Sequence, residues 1–207
     1  MNYIENLIER YPALASSFNG VTLATEKIIE SVRGGGKVLI CGNGGSAADA
    51  EHISGELLKG FIIKRNPTGE ELSVLESALG DKAGRLQRGI PAIPLASLSA
   101  SLSAFANDVD PSLVFAQLTY ALGKPSDVLI CLSTSGNSEN VVYAARVAKS
   151  LGIYTVAMTG EGGGKLSEIC DVTIAAPERE TYKVQELHLP VYHYLCAETE
   201  AHFLDKI

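Results

Sequence analysis

Short apolar runs alternate along the chain with segments whose apolar positions recur at helical spacing. A short apolar run is typical of a strand buried on both faces, and spacings of three and four residues are typical of a helix. The runs predict strands at 37–41, 92–96, 127–132 and 154–159, and a less apolar one at 171–175. The helical spacing predicts helices at 3–18, 21–32, 47–58, 113–122 and 140–151, a short one near Leu166, and a last one at 181–204 that Pro190 interrupts.

This alternation of strands and helices predicts an α/β fold. Helices that connect successive parallel strands cover both faces of the sheet, so we expect a three-layer αβα sandwich around a parallel, five-stranded sheet. No internal repeat or low-complexity segment divides the sequence. We therefore predict a single domain over residues 1–207, with N-terminal helices within 1–33.

Segment 64–89 departs from the alternation. It is polar: residues 66–69 (Asn-Pro-Thr-Gly) predict a turn and 70–79 predict a short amphipathic helix. So long a connection inside a compact α/β domain is either a functional lid or an insertion tolerated at the surface. Both interpretations stay open, and the polar composition favours the insertion.

Composition and charge narrow the choice of partners. Apolar residues make up 46% of the 207 residues and charged residues 20%, as in a globular protein. The net charge is −7 with no basic block, which argues against nucleic-acid binding. The low-charge stretch 90–106 is too rich in proline and serine to cross a membrane. No signal-peptide pattern is visible and the four cysteines are widely spaced, so we expect free thiols in the cytoplasm.

Two loops that follow predicted strands are rich in glycine and hydroxyl groups. In an open parallel sheet, ligands bind at the carboxyl ends of the strands, where helix N-termini present free N–H groups to an anion. Neither loop has the spacing of a dinucleotide or nucleoside triphosphate motif. Each could simply cap a helix, but four adjacent hydroxyls in the second favour a phosphate. The first loop contains Asn43, Gly44, Gly45 and Ser46, and the second contains Ser133, Thr134, Ser135 and Ser138.

Two pairs of helical side chains suit acid–base or metal chemistry. His52 and Glu56 are four residues apart and share a helix face, whereas Gln185 and His193 are eight apart, about two turns. Imidazole, carboxylate and amide groups bind zinc-like ions, and the first two also transfer protons. A solvated surface pair is the alternative interpretation of His52 and Glu56.

Three motifs taken together, GNGGSAADAEH, STSGNS and VQELHLPVYH, resemble the sugar-isomerase (SIS) domain family and, within it, the phosphoheptose isomerases. The resemblance extends from the N-terminal helices to the last helix. It implies a flavodoxin-like sandwich. It also implies isomerisation of a ketose phosphate, sedoheptulose 7-phosphate, to the aldose phosphate through an enediol, for heptose or nucleotide-sugar biosynthesis.

The resemblance assigns roles to individual residues. It implies that Glu56 is the catalytic base, that His193 is the acid, and that the protein is a homotetramer with sites between subunits. Because a carboxylate bound tightly to zinc is a poor base, the two roles implied for Glu56 conflict. The implied ligands of one Zn²⁺ per subunit are His52, Glu56, Gln185 and His193. The implied substrate contacts are Asn43, Gly44, Gly45, Ser46, Asn107, Asp108, Ser133, Thr134, Ser135, Ser138 and Gln185.

The sequence departs from the family pattern in two places, at Gly60 and in the insertion 64–89 where the family has a short connection, and Pro190 is a third difference. Gly60 stands where the family carries an arginine that reaches the substrate, so Lys59 or Lys64 would have to supply the cation. Pro190 lies between Gln185 and His193 and is expected to shift one relative to the other.

Two functions without catalysis stay open. One is a SIS binding module that resembles the isomerases but lacks their catalytic pairs, such as a replication-initiator-associating protein. The other is a sensor that binds a phosphosugar and regulates a partner. The presence of all four implied zinc ligands argues against the first, whereas a phosphate loop would look the same in the second.

Overall fold

The computed structural model describes residues 3–204, whose five strands form one parallel sheet. In chain order the strands are β1 (Val38–Cys41), β2 (Ala92–Pro94), β3 (Val128–Leu132), β4 (Tyr154–Thr159) and β5 (Val172–Ala175). They lie in the order β2-β1-β3-β4-β5, and every neighbouring pair is parallel. This is the flavodoxin-like order, so the predicted fold is confirmed. Residues 1–2 and 205–207 of the predicted domain lie outside the described part.

Nine α-helices surround the sheet within the described residues. They are α1 (Tyr3–Arg10), α2 (Phe18–Arg33), α3 (Gly45–Leu58), α4 (Gly69–Leu79), α5 (Ser99–Asp108), α6 (Val114–Leu122), α7 (Glu139–Ser150), α8 (Gly164–Ile169) and α9 (Thr181–Leu204). Short 3-10 turns occupy Pro12–Ser17, Gly80–Arg85, Leu95–Ser97 and Pro111–Leu113.

Alternating strand residues feed two separate cores. On β1, Val38 and Ile40 pack with α1, α2, α3 and α9, whereas Leu39 and Cys41 pack on the opposite face with α6 and α7. Successive side chains of a strand point to opposite faces, so an all-apolar strand serves both cores. This explains why the strands read as unbroken apolar runs in the sequence.

The N-terminal helix predicted at 3–18 was wrong. Helix α1 ends at Arg10, and Pro12 begins a 3-10 turn that runs to Ser17 before α2 starts at Phe18. A proline has no N–H to donate and disfavours helical backbone in the residue before it. The helix therefore breaks where the apolar spacing alone predicts that it continues.

Two further details of the helices differ from expectation. Helix α5 was not predicted, because its serines and alanines give no apolar stripe and none of its residues is buried. Helix α9 continues through Pro190 from Thr181 to Leu204, so the proline does not end the helix, and the kink expected there stays a prediction. Buried neighbours on the same helix, such as Val191 and Tyr192, hold it against the core around the proline.

Segment 64–89 connects α3 to β2 and contains one helix and one 3-10 turn. The predicted helix is present as α4, and no residue of α4 is buried. The ends of the segment are tied down: the Arg88 N–H donates to the Arg65 carbonyl oxygen at 2.7 Å and the Ile90 N–H donates to that of Leu57 at 2.8 Å. Among the nine described helices, none has both the length and the apolar character needed to span a bilayer.

Candidate functional site

The two predicted loops lie side by side at the carboxyl edge of the sheet. Strands β1 and β3 are neighbours, and Cys41 pairs with Cys131 immediately before the two loops. The Asn43 and Asn140 side-chain amides exchange two hydrogen bonds of 2.9 Å, which join the first loop to the start of α7. Asn140 was not predicted; its position just after the hydroxyl motif is the only signal it gives in the sequence.

The second loop gathers its hydroxyls in one tight turn. Ser133 is buried and its Oγ lies 3.0 Å from that of Ser138 at the start of α7, whereas Ser135 is exposed. Gly136 has a φ of +65°, and a Cβ there would overlap the Gly163 carbonyl oxygen. The Leu166 N–H donates to the Gly136 carbonyl oxygen at 3.0 Å. The start of α8 thus holds the turn in place, with its outer hydroxyls toward solvent.

A groove of about 490 Å³ opens in front of the first loop. Asn43 and Gly44 form one side and the α5 residues Ser99 and Ser103 line it as well. Ser46 is buried at the start of α3, where its N–H donates to the Asn43 carbonyl oxygen at 3.0 Å. The loop therefore presents Asn43 and Gly44 to the groove while Ser46 supports it from behind.

Helices α3 and α9 meet and bring an imidazole–carboxylate cluster together. His52 Nε2 lies 3.2 Å from Glu56 Oε1 on α3, and the His193 ring on α9 meets the His52 ring edge-on with centroids 5.1 Å apart. The Lys59 ammonium donates to Glu56 Oε2 at 3.1 Å. Three residues predicted for one site are therefore adjacent within a single chain.

The His193 ring borders a cleft of about 290 Å³ between α1 and α9. Burial lowers the pKa of His193. The nearby His52 and Arg10 side chains lower this pKa further, whereas the Glu56 carboxylate raises it. A neutral imidazole is therefore favoured at neutral pH. Arg10 and Phe61 line the same cleft, and the Phe61 ring lies 5.6 Å from that of His193. Sequence reasoning missed both: Arg10 lies far from the motifs along the chain, and Phe61, although it follows Gly60, belongs to none of them.

Gln185 lies at the opposite end of the α3–α9 contact. A Cβ at Gly45 would come within 2.4 Å of Gln185 Nε2, so the glycine lets the amide approach the first loop. Residues eight apart on a helix are separated by about 12 Å along its axis. Gln185 and His193 can therefore share a ligand only at a point between them.

The candidate zinc ligands of one chain fit the metal only in part. Within one chain, residues 3–204 gather no group of three or more histidine, cysteine, aspartate or glutamate side chains arranged to hold a metal. The pair that does fit is His52 Nε2 and Glu56 Oε1, because 3.2 Å is close to the spacing of about 3.3 Å between two donors in a tetrahedral zinc site. The His193 imidazole lies beside this pair and has suitable chemistry for a third donor.

Two residues that lie within the quoted motifs but were not predicted for the site, Asp49 and Tyr192, contact each other next to His52. The Tyr192 hydroxyl lies 2.9 Å from His52 Nδ1 and donates to Asp49 Oδ1 at 3.4 Å. Burial raises the pKa of Asp49 while the tyrosine hydrogen bond lowers it. Burial and the Asp49 charge raise the pKa of Tyr192, so its hydroxyl keeps its proton.

Asn107 and Asp108 lie at the far end of α5. The Asn107 amide donates to Asp108 Oδ1 at 2.8 Å, and Asp108 lines a separate groove between α5 and α6. Their assignment to substrate binding stays a prediction.

Gly60, where the resemblance implies an arginine, is closed in by Gln87 of the 64–89 segment and by Ile63. The Gly60 N–H donates to Gln87 Oε1 at 2.6 Å, and a Cβ at Gly60 would come within 2.5 Å of both Gln87 Oε1 and the Ile63 carbonyl oxygen. Any larger residue would collide there. The Lys59 ammonium is bound to Glu56, and Lys64 is exposed.

Comparisons with known proteins agree on one family. Residues 2–160 match the family model described as SIS domain. The phosphoheptose isomerase of Rhodospirillum rubrum is 37% identical over 189 residues, which cover 91% of this chain and 85% of that protein. The phosphoheptose isomerase of Nitratidesulfovibrio vulgaris is 40% identical over 184 residues, which cover 89% of this chain and 77% of that protein. The solved structure of a phosphoheptose isomerase from Francisella tularensis matches with a TM-score of 0.75 at 29% identity, covering 96% of this chain and 95% of that one.

Proposed function

Because the chain belongs to the phosphoheptose isomerases of the SIS-domain family, we propose that it converts sedoheptulose 7-phosphate to the aldoheptose phosphate. The observation that carries the proposal is the cluster of His52, Glu56 and His193, which places a carboxylate and two imidazoles around one point. Ketose–aldose isomerisation needs one group to remove a proton from a carbon and another to return a proton to its neighbour.

Glu56 is the group suited to remove the proton. In this reaction the base takes the proton from the carbon next to the carbonyl, the electron pair forms the carbon–carbon double bond, and the carbonyl oxygen gains a proton to give the enediol. A proton then returns to the former carbonyl carbon while the hydroxyl on the other carbon loses its proton and becomes the aldehyde. His193 lies beside Glu56, and burial favours its neutral form, which has one N–H to donate and one lone pair to accept. The Lys59 ammonium donates to Glu56 Oε2 at 3.1 Å, so a positive charge lies beside the proposed base.

We also propose a zinc ion held by His52, Glu56 and His193, with Gln185 as the fourth ligand. A bound zinc ion polarises a carbonyl and stabilises negative charge on its oxygen. A carboxylate tightly bound to a metal is a weak base, so Glu56 must bind loosely or change partner if it serves both roles.

The hydroxyl loop is the proposed phosphate site. Ser133, Thr134, Ser135 and Ser138 can donate hydrogen bonds to phosphate oxygens, and α7 begins at this loop with its positive dipole end. His52 is seven residues, about 10 Å, along α3 from the first loop. A substrate that extends from the first loop to His52 must be several carbons long, which favours a heptose over a triose. Asn43, Gly44 and Gly45 are the proposed contacts along the sugar, and Arg10 adds positive charge at the cleft.

The assembly and location are part of the proposal. We propose a homotetramer, active in the cytoplasm, whose sites lie between subunits. Three apolar side chains at and just after the end of α3 support an interface there, because Leu58, Ile62 and Ile63 are 51%, 54% and 38% exposed, and Ile62 lines the His193 cleft. Free thiols at all four cysteines suit a reducing compartment.

A panel of ketose phosphates tests the proposal. Purified protein supplied with zinc is mixed with sedoheptulose 7-phosphate and with shorter ketose phosphates, and product formation is followed by NMR. We expect the heptose to be converted fastest. Binding of the heptose without conversion would instead support a phosphosugar-binding module, which the comparisons do not favour.

A further inference from the structure

The Tyr192 hydroxyl lies between the side chains of Asp49 and His52. It is 3.4 Å from Asp49 Oδ1 and 2.9 Å from His52 Nδ1. Tyr192 is only 1% exposed, and its ring packs edge-on against the His52 ring with centroids 5.3 Å apart. The hydroxyl is therefore held in place by the core, with one polar neighbour on each side.

A tyrosine has a single proton to donate, so its two neighbours cannot both receive one. Asp49 Oδ2 is buried, and no hydrogen-bond partner for it exists in the part of the chain that the structure describes. If the tyrosine donated to His52 instead, Asp49 Oδ1 would lose the hydrogen bond from Tyr192, in addition to Oδ2 having none. A buried carboxylate without a donor is costly. The favourable arrangement has Tyr192 donating to Asp49, and His52 Nδ1–H donating to the Tyr192 oxygen.

This arrangement determines where the lone pair of His52 lies. The nitrogen that carries the proton of a neutral imidazole is set by the hydrogen bond that the ring makes. With the proton on Nδ1, the lone pair is on Nε2, which faces Glu56 Oε1 at 3.2 Å. Two acceptors then face each other, an arrangement that a cation between them stabilises.

We propose that Asp49 and Tyr192 are positioning residues that hold His52 in the Nδ1–H tautomer, so that its Nε2 is free to bind a divalent cation with Glu56. The inference rests on the metal site of the proposed function. Outer groups that orient a metal-binding histidine typically contribute 10–100-fold to metal affinity. Here the Asp49 carboxylate orients His52 through the buried Tyr192 hydroxyl.

Zinc affinity measures the effect directly, by competition with a chromophoric chelator on the full chain. We expect Tyr192→Phe and Asp49→Ala each to weaken zinc binding by about 10- to 100-fold. The matched control is Tyr194→Phe, which removes a buried hydroxyl two residues along α9, and it should retain wild-type affinity. Because Asp49 acts through Tyr192, adding Asp49→Ala to Tyr192→Phe should change affinity by less than about twofold. The inference would be overturned if the losses of zinc affinity from the two substitutions multiplied in the double variant. Wild-type zinc affinity in Tyr192→Phe would overturn it as well.

The tautomer is measured without any metal. In metal-free protein labelled with ¹⁵N-histidine, about two pH units above the ordinary histidine pKa of ~6.5, the imidazole shifts distinguish Nδ1–H from Nε2–H. We expect Nδ1–H at His52 in the wild type and in Tyr194→Phe, and its loss in Tyr192→Phe. An Nε2–H tautomer in the wild type would refute the inference. Wild-type protein that shows the Nδ1–H tautomer but binds no zinc would instead refute the proposed metal site.

Discussion

The Arg65 guanidinium and the Glu200 carboxylate form a buried ion pair, with Nε and Oε1 3.2 Å apart and both side chains at most 1% exposed. Glu200 also accepts the backbone N–H groups of Phe61, Ile62 and Ile63 at 2.7–3.0 Å. Arg65 donates in turn to the Leu57 carbonyl oxygen at 2.7 Å. The pair therefore fixes the loop after α3 to α9 and sets Phe61 against His193.

Removing one member of this pair should destabilise the protein strongly. Glu200→Ala leaves the Arg65 charge buried and unpaired, and we expect the free energy of unfolding in urea to fall by about 3–5 kcal/mol. The control is Glu71→Ala, which breaks an exposed pair with Arg88 and should cost less than about 1 kcal/mol. Equal losses in the two variants would show that the buried pair does not anchor the loop.

The hydroxyl loop can be tested through substrate affinity. Ser135→Ala removes an exposed donor from the proposed phosphate site, and a hydrogen bond to a charged group contributes about 1.5–3 kcal/mol. We expect phosphosugar binding, measured calorimetrically, to weaken about 10- to 100-fold. Ser150→Ala, at the other end of α7, should bind as the wild type does. An unchanged affinity in Ser135→Ala would remove Ser135 from the site.

Gly45 offers a test of the Gln185 position. In Gly45→Ala the new methyl group would meet the Gln185 amide, which must move away from the first loop. We expect a fall in kcat/KM of at least about tenfold, since a misplaced group near the reacting atoms costs that much or more, with thermal stability nearly unchanged.

Gly55 on the same helix is the matched control for this substitution. No atom lies within 4 Å of a Cβ placed there. Gly55→Ala should retain activity and raise the free energy of unfolding by up to about 1 kcal/mol. If both alanine variants retained full activity, the Gln185 amide would have no role in turnover.

His188 should make stability depend on pH. It is buried, its Nε2 lies 3.1 Å from the Thr159 carbonyl oxygen, and burial lowers its pKa below the ordinary value of about 6.5. Between the folded pKa and about 6.5 the unfolded chain binds the proton and the folded chain does not. Stability therefore falls as pH drops through that window, by at most about 1.4 kcal/mol per pH unit for one group.

Substitution at His188 should flatten this dependence. Urea unfolding between about pH 7 and pH 5 should show a smaller loss of stability for His188→Gln than for the wild type. The control is His202→Gln, which replaces a partly exposed imidazole at the other end of α9, and its slope is measured alongside. A His188→Gln protein with the full wild-type slope would assign the pH dependence to other groups.

The sequence predicted the sheet well because all-apolar runs and helical spacing arise from burial on both faces of β1, β3 and β4. It could not predict α5, whose serines and alanines leave no apolar stripe. It could also not place Arg65, because a charged residue in a polar segment gives no sign that it will be fully buried against Glu200.

Only part of the candidate site could likewise be predicted from the sequence. His52 and Glu56 were predictable as a pair, since a spacing of four residues puts them on one helix face. Their contact with His193 depends on how α3 packs on α9, which spacing along either helix does not determine. Asp49 and Tyr192 lie within the motifs that contain His52 and His193, but only the packing shows that they contact each other, and Arg10 lies in no motif.

The measurement that tests the central claim most directly compares Glu56→Gln with Glu51→Gln. Both replace a carboxylate on α3 by an amide of the same size, but Glu51 is exposed and accepts from the Ser97 hydroxyl at 2.7 Å, away from the cluster. With zinc and sedoheptulose 7-phosphate, we predict that Glu51→Gln forms aldoheptose phosphate as the wild type does, and that Glu56→Gln loses at least about 100-fold in kcat. Equal turnover by the two variants would contradict the account.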